Sequence, residues 1–262
     1  MAACTPPPAS PASPAPASPP ATAAAAVSPP KLAAASASPR ANGAAGALPA
    51  GRGDGFEYKV RSDFFDGLRG DKVALDRSIK VCEDTLARDP NHAEAMVWHG
   101  AGVMARASLA FRAGDRANGA TLYQQGLAEM DHAVAIAPKN IGVRIPRGAV
   151  LLVVAGFVPE PEKSKLVARG ASDYEVGIAG QQAYFGQLTL HAREQMLYGL
   201  TDAFATLGDT KKAAAYYERM TTDAAGSQLL ARAKARAAGE AVSGPTPCEE
   251  CHARGTTGRA HW

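Results

Sequence analysis

The sequence predicts an all-α fold made of antiparallel helical hairpins. Three observations support this prediction. Apolar residues recur at helical spacing almost without interruption after Gly55. Gly-Asp and Pro-Asn pairs separate the helical segments, and such residues commonly mark helix ends. No two segments show the alternating pattern of a pair of strands.

The first part of the chain, residues 1–54, is predicted to be a disordered tether. Residues 5–50 are almost entirely Ala, Pro, Ser and Gly, with no aromatic residue. Such a segment cannot bury enough apolar surface to offset the entropy that ordering its backbone would cost. We therefore expect an extended, Pro-rich leash that leads into the folded part of the chain.

The four residues MAAC at positions 1–4, followed by TPPPASPAS, resemble the end of a bacterial lipoprotein signal. In such signals an aliphatic residue and two small residues precede a cysteine that becomes lipidated. The resemblance implies a lipid on Cys4 that anchors the protein to a membrane, with its body on the periplasmic or cell-surface side. The alternative is an ordinary cytosolic start of an Ala-rich chain.

The helical domain is predicted to span residues 55–243. Its longest apolar run, AVLLVVAGFV at 149–158, is too short to cross a bilayer and is interpreted as part of a buried helix. The periodicity and the breaks predict eight helices, at 71–88, 92–113, 115–137, 140–156, 162–179, 187–207, 209–222 and 227–240.

Three segments around the breaks resemble tetratricopeptide repeats: LARDPNHAEAMVWHG (86–100), AIAPKNIGVRIPRG (135–148) and FATLGDTKKAAAYYERM (204–220). In that family two antiparallel helices pack through small residues, and a proline ends the second helix. The resemblance covers roughly residues 71–240. It implies an array of helical hairpins that acts as a protein-interaction scaffold.

The spacing of the repeat is longer than the family's. Pro90 and Pro138 lie 48 residues apart, against about 34 in the family, and Gly114-Asp115 falls midway between them. Both helices of this repeat are therefore predicted to be longer by about two turns each. A glycine follows each proline by ten residues, at Gly100 and Gly148, where it predicts a close approach between helices.

Some polar residues of the helical domain are candidates for a functional site. His99 and His132, on helices predicted to face each other, favour either a metal or ligand site or partly buried histidines satisfied by their neighbours. The spacings HxxxH and HExxH do not occur. The other candidates are Asp131, Arg144, Arg147, His191, Arg193 and Glu194.

Arg144 and Arg147 have two interpretations. They could bind the acidic terminus of a partner, or they could pair with Asp131 or Glu129 on the preceding helix, because guanidinium groups serve both roles. Cys82 is expected to be a small buried apolar residue.

Several function classes are disfavoured. The net charge of +3 is spread along the chain with no basic stripe, so nucleic-acid binding is not expected. No Ser/His/Asp order, phosphate loop or close carboxylate pair is recognisable, and we expect a protein that is not an enzyme.

The tail, residues 244–262, contains the spacing Cys248-x-x-Cys251-His252. This spacing is used to attach a c-type haem: the two thiols form thioethers with one porphyrin, and the histidine binds its iron. His261, Met196 or Met220 is a candidate second axial ligand. The alternatives are a zinc site that uses Cys248, Cys251 and His252 or His261, a disulfide, or no role.

The sequence therefore predicts a membrane-tethered scaffold outside the cytoplasm. Its helical array binds a protein partner, and its tail carries one haem c for electron transfer or for docking to a redox partner. A pure adaptor whose tail binds zinc or nothing is the alternative.

Overall fold

The computed structural model describes residues 55–243, and these residues form nine α-helices and no strand. Two 3₁₀ segments, Ala155–Phe157 and Gln182–Gln187, follow the fifth and sixth helices. The prediction of an all-α fold is confirmed. The helices are α1 (Glu57–Leu68), α2 (Lys72–Leu86), α3 (Ala93–Arg112), α4 (Arg116–Ile136), α5 (Ile141–Val154), α6 (Glu162–Gln181), α7 (Leu190–Thr206), α8 (Thr210–Asp223) and α9 (Leu230–Ala237).

Helices α2–α9 lie close to the eight predicted segments, whereas α1 was not among them. The helix α1 follows Phe56, whose side chain has no oxygen to cap the first backbone N–H groups. The helix is held in place by the side chains of Phe56, Val60 and Phe64, which are buried in the common core. The local signals that reveal the other helices are therefore weak at α1.

Gly-Asp pairs form three of the turns between helices. Gly70, Gly114 and Gly208 have positive φ, a conformation that glycine adopts without steric cost. The aspartate that follows each of them caps the next helix, because its carboxylate accepts a backbone N–H from the first turn. Each such cap stabilises a helix by about 1 kcal/mol. The predicted role of these pairs as helix ends is confirmed.

The helices pack as antiparallel pairs: α1 with α2, α3 with α4, α5 with α6, and α7 with α8, while α9 packs against α7 and α8. Consecutive pairs also pack on each other through α2 and α3 and through α6 and α7. Because sequential helices alternate in direction, the turns within the pairs lie along one edge of the array. The connections between pairs lie along the opposite edge.

The pair α3–α4 is longer than its neighbours, as the spacing of the prolines predicts. These helices have 20 and 21 residues, whereas α1 and α2 have 12 and 15, and α5 and α6 have 14 and 20. Their backbones touch at Gly100 and Gly126, since a Cβ placed on Gly100 would lie 2.8 Å from the carbonyl oxygen of Gly126. The predicted close approach at Gly148 is also present, because a Cβ placed on Gly148 would lie 3.1 Å from the carbonyl oxygen of Gly170.

The core runs through all four pairs. In the apolar run at 149–158, Leu151 and Ala155 are buried as predicted, but Phe157, the last residue but one, is 76% exposed. Within residues 55–243 no helix is both long enough and apolar enough to cross a bilayer. The largest fully buried side chains include Leu75, Ile79, Met130, Leu151, Leu166, Leu197, Leu200 and Met220.

Candidate functional site

The most heavily bonded polar cluster of the described domain is centred on Asp173 of α6. The Asp173 side chain is fully buried. Its carboxylate accepts two hydrogen bonds from Arg147, at 2.7 Å from Nε and 2.8 Å from Nη2. Arg144 Nη1 donates a third, at 2.6 Å. A buried carboxylate is thus held by two guanidinium groups, one of them in the bidentate geometry that gives the strongest pairing.

The cluster extends to a second carboxylate, Asp131 of α4. Arg147 Nη1 donates to Asp131 at 3.0 Å, and Arg169 of α6 also contacts it. Three arginines and two aspartates from α4, α5 and α6 therefore form one network with a net charge of +1. We call these five residues the Asp173 network.

Local sequence explains how the network is assembled. Arg144 and Arg147 lie three residues apart on α5, so both side chains reach the same side of that helix. Gly148 allows α6 to come close, because a Cβ there would lie only 3.0 Å from the Cβ of Asp173. Arg144 Nε also donates to the carbonyl oxygen of Pro138 at 2.7 Å, which ties α5 to the connection before it.

The structure bears on one of the two interpretations of Arg144 and Arg147, the pairing with carboxylates of the same chain. The pairing of Arg147 with Asp131 is present, but Arg144 pairs with Asp173, which the sequence analysis missed. The Arg144 and Arg147 side chains are 15% and 9% exposed. Their binding of a partner's acidic terminus stays a prediction.

A signal for Asp173 does exist in the sequence. Leu166, Gly170, Asp173 and Gly177 are spaced by four, three and four residues and are all buried on α6. This spacing places them on one helix face. An aspartate on such a face needs a cationic partner, because an unpaired buried charge is costly.

His99 is paired, and its partners are carboxylates. Its Nδ1 lies 2.5 Å from Glu129 Oε2, and its Nε2 lies 3.9 Å from Glu83 Oε1. His132, by contrast, is exposed on α4. Within residues 55–243 no group of three or more His, Cys, Asp or Glu side chains is arranged to hold a metal ion. The geometry agrees with a partly buried His99 satisfied by its neighbours.

The candidates on α7 form a small cluster at the start of that helix. His191 Nδ1 lies 3.5 Å from Glu194 Oε1. Burial raises the pKa of the Glu194 carboxyl, but hydrogen bonds with His191 and Ser227 outweigh this, so that its pKa lies below its usual value. Arg193 Nε is buried and has no hydrogen-bond acceptor among the described residues.

A buried glutamate that sequence reasoning missed joins three helices. Glu94 of α3 accepts the backbone N–H of Phe56 at 3.2 Å and the Asn140 side-chain amide at 2.9 Å. It thereby links the beginnings of α1, α3 and α5. A pocket of about 210 Å³ lies beside it, and its lining includes Asp89 and His92.

A second opening, of about 440 Å³, is lined by residues from the beginning of α2, the end of α3 and the beginning of α4. Leu75, Leu109 and Leu122 line its apolar part. Its charged rim includes Arg106 and Asp76, which form an ion pair at 2.7 Å. We call this opening the α2–α4 groove.

No family model matches the chain, and no curated protein and no solved structure is significantly similar to it. The fold is therefore established by the packing of the helices, and the resemblance to tetratricopeptide repeats rests on the three quoted segments.

The lipid and haem predictions concern residues outside the described part of the chain: Cys4, Cys248, Cys251, His252 and His261. Two of the proposed axial ligands are described, and both are in the core. Met196 is 3% exposed and Met220 is fully buried. Neither thioether can reach an iron atom unless the core opens.

Cys82 of α2 is buried in the hydrophobic core, as the sequence predicts. Burial, together with the nearby Glu83 and Glu129 carboxylates, raises the pKa of its thiol to about 12. A thiol with this pKa holds almost no thiolate at neutral pH, so Cys82 is not a reactive group.

Proposed function

We propose that this protein is a helical scaffold tethered to a membrane outside the cytoplasm. Its hairpin array binds a protein partner, and its C-terminal tail carries a covalently attached haem. The observation that carries the haem proposal is the spacing Cys248-x-x-Cys251-His252, which follows the helical array in the sequence. The protein is proposed to act without an enzymatic site of its own.

The scaffold part is supported by the architecture. Four antiparallel helix pairs pack in sequence, and each pair buries its apolar face on its neighbours. Arrays of this kind present extended surfaces to other proteins. The resemblance of three segments to tetratricopeptide repeats supports the same role. Each arginine of the Asp173 network forms a hydrogen bond with an aspartate of the same network.

The haem part is supported by the chemistry of the donors. Cys248 and Cys251 are spaced to hold a porphyrin through two thioethers, and the adjacent His252 would bind the iron. When bound, the haem supplies one-electron transfer. Because Met196 and Met220 are buried, His261 is the better candidate for the second axial position.

The proposed location of the protein, outside the cytoplasm, rests on the proposed lipid anchor. The MAAC start supports a lipid on Cys4, and residues 5–50 would act as a leash between the membrane and the array. Haem attachment takes place outside the cytoplasm in bacteria, where a lipoprotein also resides. The two proposals therefore support each other.

The haem proposal is tested by expressing the full chain in a host that has haem-attachment machinery. We expect a Soret band in the purified protein and a haem stain that survives denaturing electrophoresis. The variant Cys248→Ser/Cys251→Ser should lose the stain, whereas Cys82→Ala should keep it. Absence of both signals from the unmodified chain refutes the haem proposal, and metal analysis of the same sample then tests the zinc alternative.

A further inference from the structure

The turns within the four helix pairs share one edge of the array. The pairs are antiparallel, as the contacts of Gly67 with Leu75 in the first pair and of Gly119 with Phe111 in the second show. The helices α2 and α3 are antiparallel too, because their contacts run in opposite order along the two helices: Arg106 with Asp76, Gly102 with Ile79, and His99 with Glu83. We call residues 66–73, 111–116, 155–165 and 206–212 the hairpin-turn edge.

Large apolar side chains protrude from this edge. Four of the seven large apolar residues that are exposed in the described domain belong to it: Leu68, Val73, Phe111 and Phe157. They come from three successive turns. Phe157 is the most exposed of the seven, at 76%. Single exposed apolar residues are common on protein surfaces, but here they recur turn after turn on one side.

Basic residues accompany these apolar side chains. The hairpin-turn edge has eight Lys and Arg residues and six Asp and Glu residues, a net charge of +2. Three of the six acidic residues, Asp71, Asp115 and Asp209, are helix caps whose carboxylates are bonded to backbone N–H groups. Three of the eight basic residues, Arg69, Lys165 and Lys212, form ion pairs with exposed or half-buried carboxylates.

The opposite edge differs in charge. Residues 55–59, 85–94, 135–141, 180–191 and 222–230 contain three Lys and Arg residues and four Asp and Glu residues, a net charge of −1. It has three exposed large apolar residues, Tyr58, Ile136 and Leu190. The combination of apolar side chains with an excess of basic ones is therefore particular to the hairpin-turn edge.

We propose that the hairpin-turn edge contacts an anionic lipid surface. Phe111 and Phe157 would insert into the interfacial region, and the Lys and Arg residues of the same turns would lie near the lipid phosphates. This goes beyond the proposed function, because it assigns a membrane contact to the folded domain itself. It requires neither the lipid on Cys4 nor the haem.

The arrangement of the apolar residues favours a lipid surface over a protein partner. The α2–α4 groove opens at the same edge, since Lys72, Ala113 and Asp115 line it, but its lining does not include Leu68, Val73, Phe111 or Phe157. They project from separate turns of successive helix pairs. A protein partner is usually held by anchors that fill well-packed pockets, whereas a lipid interface accepts separate side chains and adapts to them.

The proposal is tested with the full chain carrying Cys4→Ala, so that no attached lipid contributes to binding. Sedimentation with phosphatidylcholine vesicles is compared with sedimentation with vesicles that also contain phosphatidylglycerol. We expect binding that depends on phosphatidylglycerol and falls several-fold as the salt concentration rises. Binding to neither type of vesicle, or equal binding to both, overturns the proposal.

Matched variants test which edge is responsible. Phe157→Ser should weaken the vesicle affinity about tenfold, because an aromatic ring is lost from the interface. Tyr58→Ser removes an aromatic ring that is 71% exposed on the opposite edge, and it should leave the affinity unchanged. Arg112→Glu/Arg116→Glu should abolish the dependence on phosphatidylglycerol.

Circular dichroism melting of each variant establishes that the fold is retained. Equal weakening by Phe157→Ser and Tyr58→Ser overturns the assignment to the hairpin-turn edge. Loss of the haem signal in the earlier experiment leaves this result unaffected, since the vesicle assay uses no haem. The two proposals therefore fail separately.

Discussion

Replacing Asp173 with asparagine is expected to destabilise the array strongly, because the change leaves two arginines without their main counter-charge. Asp173 is fully buried, and it accepts three hydrogen bonds from Arg144 and Arg147. Asparagine keeps the shape of the side chain but removes the negative charge. It also places an amide donor where a guanidinium donor already points.

The magnitude follows from the burial of the partners. Removing one member of a buried ion pair costs about 3–5 kcal/mol of folding free energy. Asp131 still contacts Arg147 in the variant, so we expect a loss near the lower end, about 3 kcal/mol. Asp131→Asn is the matched control. Its side chain is 43% exposed, and a solvated pair contributes only about 1 kcal/mol or less.

Urea denaturation followed by circular dichroism measures both variants. Helical arrays can unfold in more than one step, so tryptophan fluorescence from Trp98 should be followed in parallel. A double-mutant cycle of Asp173→Asn with Arg147→Met should give a coupling free energy of about 1 kcal/mol or more. If Asp173→Asn costs no more than Asp131→Asn, the network does not hold α5 and α6 together in the way described.

Three further predictions concern packing and ionisation. Gly126→Ala should destabilise the α3–α4 pair by about 1–3 kcal/mol, because the new Cβ would lie 2.7 Å from a carbonyl oxygen of α3. Gly156→Ala is the control and should be near neutral, since nothing lies within 4 Å of a Cβ there. Equal melting temperatures of the two variants would contradict this prediction. Burial and the hydrogen bond to Glu175 raise the pKa of Tyr216 to about 12. The protonated Tyr216 hydroxyl therefore contributes to the free energy of unfolding below pH 10, and this contribution is lost as the pH rises towards 12. Tyr216→Phe should flatten the dependence of the unfolding free energy on pH in this range. In a variant with Cys4, Cys248 and Cys251 replaced by serine, Cys82, with a thiol pKa of about 12, should react with Ellman's reagent at pH 8 only after denaturation. Rapid labelling of this variant in its native state would disagree with the burial of Cys82.

Most of the helices follow from local signals. The helix caps Asp71, Asp115 and Asp209 and the glycines before them act within a few residues of themselves, and the sequence pattern therefore predicted the turns they form. The helix α1 lacked such a cap. It was missed because its position depends on contacts with residues far along the chain, such as the bond from Phe56 to Glu94.

The polar clusters were predicted only in part. Arg144, Arg147 and His99 were recognisable as unusual residues, but two of their main partners, Asp173 and Glu129, lie 26–30 residues away in the sequence. Only the packing of antiparallel helices brings them together. For Arg147 the sequence predicted an ion pair with Asp131 or Glu129. The structure shows the pair with Asp131 and a second pair with Asp173.

The sequence by itself determined the all-α fold, the order of eight helices and the lengthened third and fourth helices, because periodicity, caps and turns act over a few neighbouring residues. The tertiary structure decided which charged groups pair and which apolar groups stay outside. Phe157 belongs to an apolar run yet is exposed to solvent, while Asp173 is buried beside two arginines. Both outcomes depend on where other helices pass, and that is a property of the packed array.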